Sequence, residues 1–411
     1  MSKRAVLYHA RYAYDLGNVF VNEIGAGLTG LGYEVTFLDL MNDADCRRAA
    51  DHATYRNCDL LFSLNCVRPE PPTGDFRFFR DTGCVCFGLA VDPPLRLWRR
   101  LFWNHDLLAL ADRAGLDWIH RYLRLSTQTV FLPHGGSRGP LAETPWEQRS
   151  YPVVFTGAWR NPQTYLDLID AFHPYVKNLL HDAIDQVRAH PDLDPFAAAA
   201  AVLRERGNAL EHRPDLFRLL CAHYSPLDNY FRAVRRLEVL QKLDAAGIAV
   251  DLWGKRWPQT LFRHHRVHGI ATPDEVNAIM GSARLVLNLG GFADGAHERI
   301  FTAMRNGAIA VTETTPYLQE NFTDRQDFCG YDPLLVNALP DRLNDLLNHP
   351  ETAAAIAVAG QRKAEADHTW QHRARQIAAL AETYRQEHSH RTSSQSEDSG
   401  TDPEGFCNSH P

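Results

Sequence analysis

The strongest constraint in this sequence of 411 residues is its rhythm: short apolar runs with little polar alternation recur between longer stretches of helical spacing, in both halves of the chain. Runs of that kind read as strands buried on both faces, and a parallel sheet covered by helices is the arrangement that buries them. The first run, residues 5–10, is followed by a polar loop, a helical pattern over 18–31 and a second strand over 34–40, which is a βαβ opening. Further runs at 59–65, 84–91 and 130–133 extend the sheet. Asp92-Pro93-Pro94 ends the second of these, because proline supplies no ladder N–H.

A single core stops growing near ~250 residues, so 411 residues call for two domains. The polar, proline-bearing stretch 139–150 marks the junction, giving a first domain over 1–145 and a second over 146–387. In the second, a strand at 151–156 precedes a region of helical pattern, read as a helical insertion over about 162–225. Strand and helix then alternate again: 249–253, a helix capped by Thr272 with Pro273 and Glu275, 284–289, a helix over 296–306, and 308–312. Residues 388–411, rich in serine and charge, read as a disordered tail. The fold class expected is α/β, two Rossmann-like domains facing a cleft, with the insertion in the second.

Hydrophobic residues at 45% and charged residues at 23% are ordinary for a globular protein, and a net charge of −7 argues against a nucleic-acid partner. No run reaches the ~20 apolar residues of a membrane span and the N-terminus has no signal-peptide h-region, so a cytoplasmic protein is expected; peripheral association with a membrane surface stays open. The eight cysteines contain no CxxC pair and read as free thiols, with Cys84 and Cys86 in a buried strand.

The segment 287–312, LNLGGFADGAHERIFTAMRNGAIAVT, carries the most chemistry. It reads as buried strand, glycine-rich turn, helix, glycine stop and buried strand. A turn with so little side-chain bulk lets a ligand reach the amides that open the next helix, where phosphate is favoured. Asp294, Glu298 and Thr302 share one face if that helix begins early.

HERIFTAMRNGAIAVT resembles the signature of the GT-B "glycosyl transferases group 1" families, in which Glu-x7-Glu runs into a small-residue stretch before a strand, and is closest to the spore-maturation-protein-like (CgeB-like) branch. The resemblance implies a glycosyltransferase that takes a nucleoside-diphosphate sugar as co-substrate, with no cofactor or metal, and an unidentified acceptor. The family's two glutamates fall on Asp294 and Thr302, so Glu298, one turn earlier than Thr302, is the substitute ribose ligand. Gly295 and Ala296 would offer amides to the diphosphate. The family's first donor-domain strand ends in a glycine loop, matched here by Gly157 with Arg160 behind it. Gly254-Lys255-Arg256 follows a strand at its carboxyl end, where such sheets bind ligands. Arg160, Lys255, Arg256 and Arg299 are the candidate cations for the leaving diphosphate.

For the acceptor side, Asp92 is the leading general base, with His134 and the opening loop (His9, Tyr14, Asp15, Gly17) on the same rim. Whether the reaction retains or inverts configuration stays open. A nucleotide-sugar binder without turnover and a nucleotide-sugar epimerase are the alternative functions. Three patterns are set aside: Gly25-x-Gly27-x-x-Gly30 lies inside a helix and not at a strand-to-helix turn, Asp43-x-Asp45 lies in a polar loop, and His264, His265 and His268 have no strong fourth ligand nearby.

Overall fold

The computed structural model describes residues 2–69, 83–101, 105–123, 125, 127–190 and 193–394. Its first sheet has six strands: β1 (Lys3–His9), β2 (Tyr33–Asp39), β3 (Leu60–Leu64), β4 (Val85–Ala90), β5 (Leu107–Leu110) and β6 (Gln128–Phe131). They are all parallel, in the order β2-β1-β3-β4-β5-β6. The second sheet, also all parallel, runs β12-β11-β10-β7-β8-β9. Its strands are β7 (Tyr151–Thr156), β8 (Asp251–Trp253), β9 (Arg266–Gly269), β10 (Ala283–Asn288), β11 (Ile309–Glu313) and β12 (Cys329–Tyr331).

The expected two-sheet α/β architecture is present, and each sheet has one point where the order reverses: between β1 and β3 in the first, between β7 and β10 in the second. Crevices at the carboxyl ends of strands flanking such a point are where open α/β sheets hold ligands. Four helices separate β7 from β8: Pro162–Asp170, Pro174–Ala189, Pro195–Glu205 and Pro214–Ala245. The insertion therefore runs past 225. The last helix spans 32 residues, and its two ends serve different cores. Leu216 to Phe231 pack with the other insertion helices, while Val239, Leu240 and Leu243 pack beneath the second sheet.

Two elements cross between the halves. Leu95 joins the insertion core, with Trp98, Trp118 and Tyr122 of the first half packed against it. The closing helix, Trp370–Ser394, lies against the first sheet and not the second: Trp370, Ala374, Ile377, Ala378 and Ala381 share a core with Leu7, Phe62, Phe87 and Leu107. Chain order had assigned residues 370–387 to the second domain. The helix continues through 394, where a tail had been expected from 388; residues 395–411 lie outside the described residues. Its crossing explains one of the glycines set aside above, Gly27, while Gly25 faces Phe37 of β2. A Cβ on Gly27 would sit 2.6 Å from Ala374 Cβ, and one on Gly25 would sit 2.4 Å from the Phe37 ring, so these glycines permit close packing.

Candidate functional site

The switch point of the second sheet is occupied by a side chain. Arg299 donates from Nε to Thr156 Oγ1 (3.2 Å), at the end of β7, and from Nη1 to Asn288 Oδ1 (3.0 Å), at the end of β10. Two adjacent parallel strands thus hold one guanidinium at the crevice between their carboxyl ends. The helix that carries it, Glu298–Arg305, begins at Glu298, with His297 at its N-cap position.

Around Arg299 lies a cleft between the two halves, about 1140 Å³ including its open mouth. Among the described residues, five arginines line it (Arg96, Arg160, Arg232, Arg236, Arg299) against two carboxylates, Asp92 and Glu298. Arg232 and Arg236 come from the long insertion helix, and Asp228 one turn earlier accepts from Arg232 Nε (3.0 Å) and from Arg96. Arg236, buried, bonds the carbonyls of Ala158 and Leu289 and stacks 4.8 Å over Phe155. Burial, and then the neighbouring Arg160, Arg299 and Arg232 cations, push its guanidinium down to about 9.

Glu298 stands where this cleft meets a second, more apolar pocket of about 690 Å³, and both are lined by Tyr14, Leu16, Gly157, Glu298 and Arg299. Burial raises the Glu298 carboxyl, but His297, 2.7 Å away, and Arg299 outweigh it and hold the group at about 2. The pocket continues over Trp253, Ala271, Pro273, Val276 and Met280. Two glycines shape its mouth: Gly254 has φ +149°, and a Cβ there would lie 2.2 Å from Gly157 O. Only glycine allows the loops after β7 and β8 to touch in this way.

On the first-domain side, Asp92 follows β4 at the rim, with Asn65 Nδ2 donating to its Oδ2 (2.7 Å). His134 is buried at the base, its Nδ1 2.9 Å from the Ala296 carbonyl, and burial is the main force holding it neutral, with a pKa of about 3. Facing a carbonyl, Nδ1 must carry the hydrogen, which leaves Nε2 an acceptor. Tyr14, at φ 58°, spans the mouth: its hydroxyl accepts from Lys255 N (3.2 Å) and the Lys255 ammonium lies 4.7 Å over its ring.

The structure thus gathers Asp92, His134, Gly157, Arg160, Glu298 and Arg299 in one cleft, with Thr302 on the adjoining pocket. It does not gather the others. Lys255 and Arg256 are exposed and line neither cavity, because the loop turns outward after Gly254. Asp294 accepts from Tyr317 N (2.9 Å) and caps a neighbouring helix instead of facing the cleft. Thr302 Oγ1 already accepts from Ser137 N (3.1 Å), in the linker between the sheets. The amides of Ala293 and Asp294, in the turn expected to cradle phosphate, donate to Asp112, and the Gly295 and Ala296 carbonyls accept from Thr315 and His134. Arginine side chains, more than free loop amides, therefore line the cleft. Arg232 and Arg236 escaped the sequence reading, although Asp228, Arg232 and Arg236 at spacings of four announce one charged helix face.

Among known proteins, residues 232–379 match a family described as "Glycosyl transferase-like". No curated protein matches the sequence. Among solved structures, a sucrose-phosphate synthase from Thermosynechococcus elongatus shares 12% identity at a TM-score of 0.50, over 94% of this chain and 100% of that one. A glycosyltransferase from Rickettsia africae gives 8% and 0.49 over 93% and 98%, and an Anabaena protein, HepE, in complex with UDP-glucose gives 12% and 0.45 over 92% and 99%. With its two parallel six-stranded sheets and a cleft at their switch points, the chain has the GT-B fold, and its segment 232–379 is glycosyl transferase-like.

Proposed function

We propose that the enzyme moves a sugar from a nucleoside diphosphate to an acceptor hydroxyl lying over the first sheet, and that the diphosphate sits on Arg299, Arg236, Arg232 and Arg160. The observation that carries this reading is the placement of Arg299, fixed by the last residues of β7 and β10 in a cleft with more cations than anions. The apolar pocket over Trp253 and Met280 suits a nucleobase, and Glu298, at its junction with the cleft, suits the ribose hydroxyls. As the bond between the anomeric carbon and the phosphate oxygen breaks, charge grows on the diphosphate. Guanidinium groups already oriented there stabilise it without reorganisation, with no metal called upon. The acceptor oxygen forms the new bond to the anomeric carbon, and Asp92 takes its proton if configuration inverts. The CgeB-like branch is the one within which we place the donor domain, on the segment 297–312.

The test is a donor panel (UDP, GDP and dTDP sugars) assayed for nucleoside diphosphate release with and without chelator. Release that depends on an added acceptor and persists in chelator is the expected result. A rearranged nucleotide sugar formed without any acceptor would make the protein an epimerase, and nucleotide binding with no turnover across a broad acceptor set would make it a binder.

A further inference from the structure

One carboxylate of the first half reaches across to the loop that precedes Glu298. Asp112 follows β5 and caps the helix Arg113–Trp118, its Oδ1 accepting from Ala114 N (3.1 Å). The same carboxylate takes two amides of the other half, Ala293 N on Oδ2 and Asp294 N on Oδ1, both at 3.0 Å. The contact is a built one. Asp112 pairs with Gly295 as an antiparallel bridge, Arg113 N donates to Asp294 O (3.0 Å), and a Cβ on Gly295 would lie 2.4 Å from Ala111 O. Outside it, Arg113 grips Glu320 with two bonds of 2.8 and 2.6 Å. Asp112 itself is 8% exposed and lines neither cavity of the site.

The loop so clasped joins β10 to the helix of Glu298 and Arg299, and its first two residues, Leu289 and Gly290, line the cleft. We propose that Asp112 is a positioning residue: a first-domain carboxylate that stands in the loop's amide nest as a built-in anion and holds the loop, and with it Glu298 and Arg299, in the geometry that receives the nucleotide. Paired amides of this kind form a ready anion site, and here the chain fills it itself. The nucleotide part rests on the reading of the cleft given above. The opposite arrangement has the opposite sign: were these amides meant for phosphate, removing Asp112 would release two donors and tighten binding.

Two variants separate the roles. Asp112→Ser keeps an oxygen to cap Ala114 but is too short to serve both loop amides; Asp112→Asn keeps the size and serves should the first fail to fold. Glu320→Ala removes the outer ion pair and leaves Arg113 beside Asp294, and is the control. In amide hydrogen exchange on the unliganded protein, peptides covering 290–297 should exchange at least about tenfold faster in the Asp112 variants than in wild type, and at the wild-type rate in Glu320→Ala. In calorimetry with UDP, GDP and dTDP, the nucleotide that wild type binds best should bind about tenfold or more weakly to a folded Asp112 variant, the scale set by loss of bonds to a charged acceptor. Unchanged exchange overturns the clasp, and equal or tighter nucleotide binding overturns its role in positioning. If wild type binds no nucleotide, it is the cleft reading that fails, and the exchange measurement still decides the clasp.

Discussion

Arg299→Ala is expected to lower kcat/KM for the sugar donor by about a hundredfold or more, with the folded protein retained. Truncating one member of a desolvated, hydrogen-bonded charge pair costs about 2–5 kcal/mol, and each 1.4 kcal/mol is a factor of ten. Arg299 is placed to exert that full effect, because Thr156 and Asn288 fix its plane and Phe155 lies beneath it, with its charge 5.7 Å from the ring centroid. Arg299→Lys should recover only part of the loss, since an ammonium cannot reproduce the two-pronged geometry. Because the substitution also leaves the two strand-end groups without their donor, a melting curve must accompany the kinetics. A variant that melts like wild type yet turns over donor normally would remove Arg299 from the site.

Trp370→Ala should destabilise the protein by about 3–5 kcal/mol, the usual cost of deleting a large buried aromatic ring. Trp370 is fully buried, stacks on Phe20 at 4.5 Å between ring centroids, and meets His134 edge-on at 6.2 Å. It opens the closing helix where that helix crosses onto the first sheet, so the lost contacts belong to the joint between the halves. Urea denaturation followed by circular dichroism measures the effect. A change below 1 kcal/mol would mean that the closing helix does not hold the two halves together.

The alternation of apolar runs made both sheets legible, since buried parallel strands write themselves locally. Shorter strands did not. Leu107–Leu110 sits in a run that reads equally well as helix, and β9 and β12 are four and three residues long, too short to show a period. The closing helix looked like part of the second half because nothing in its own pattern says which sheet it will cover; that depends on Gly27 meeting Ala374 across more than three hundred residues of chain. Of the residues lining the cleft, Gly157 and Asp92 were legible because they follow strand ends, and Glu298 and Arg299 because they open the helix after a glycine-rich turn. The turn at 290–296 reads in sequence as a set of vacant amides, but those of Ala293 and Asp294 are filled by Asp112, brought from the other half by the fold. Arg232 and Arg236 were hidden for a related reason: a helical insertion reads as an addition to a domain, and here its longest helix reaches into the cleft.

A crystal structure of the protein with the tightest-binding nucleoside diphosphate tests the central claim most directly. The diphosphate should lie within hydrogen-bond distance of Arg299 and at least one of Arg160, Arg232 and Arg236, with its base over Trp253 and Met280 and its ribose beside Glu298. Density for the phosphates at Lys255 and Arg256, or within the first sheet's half alone, would contradict it.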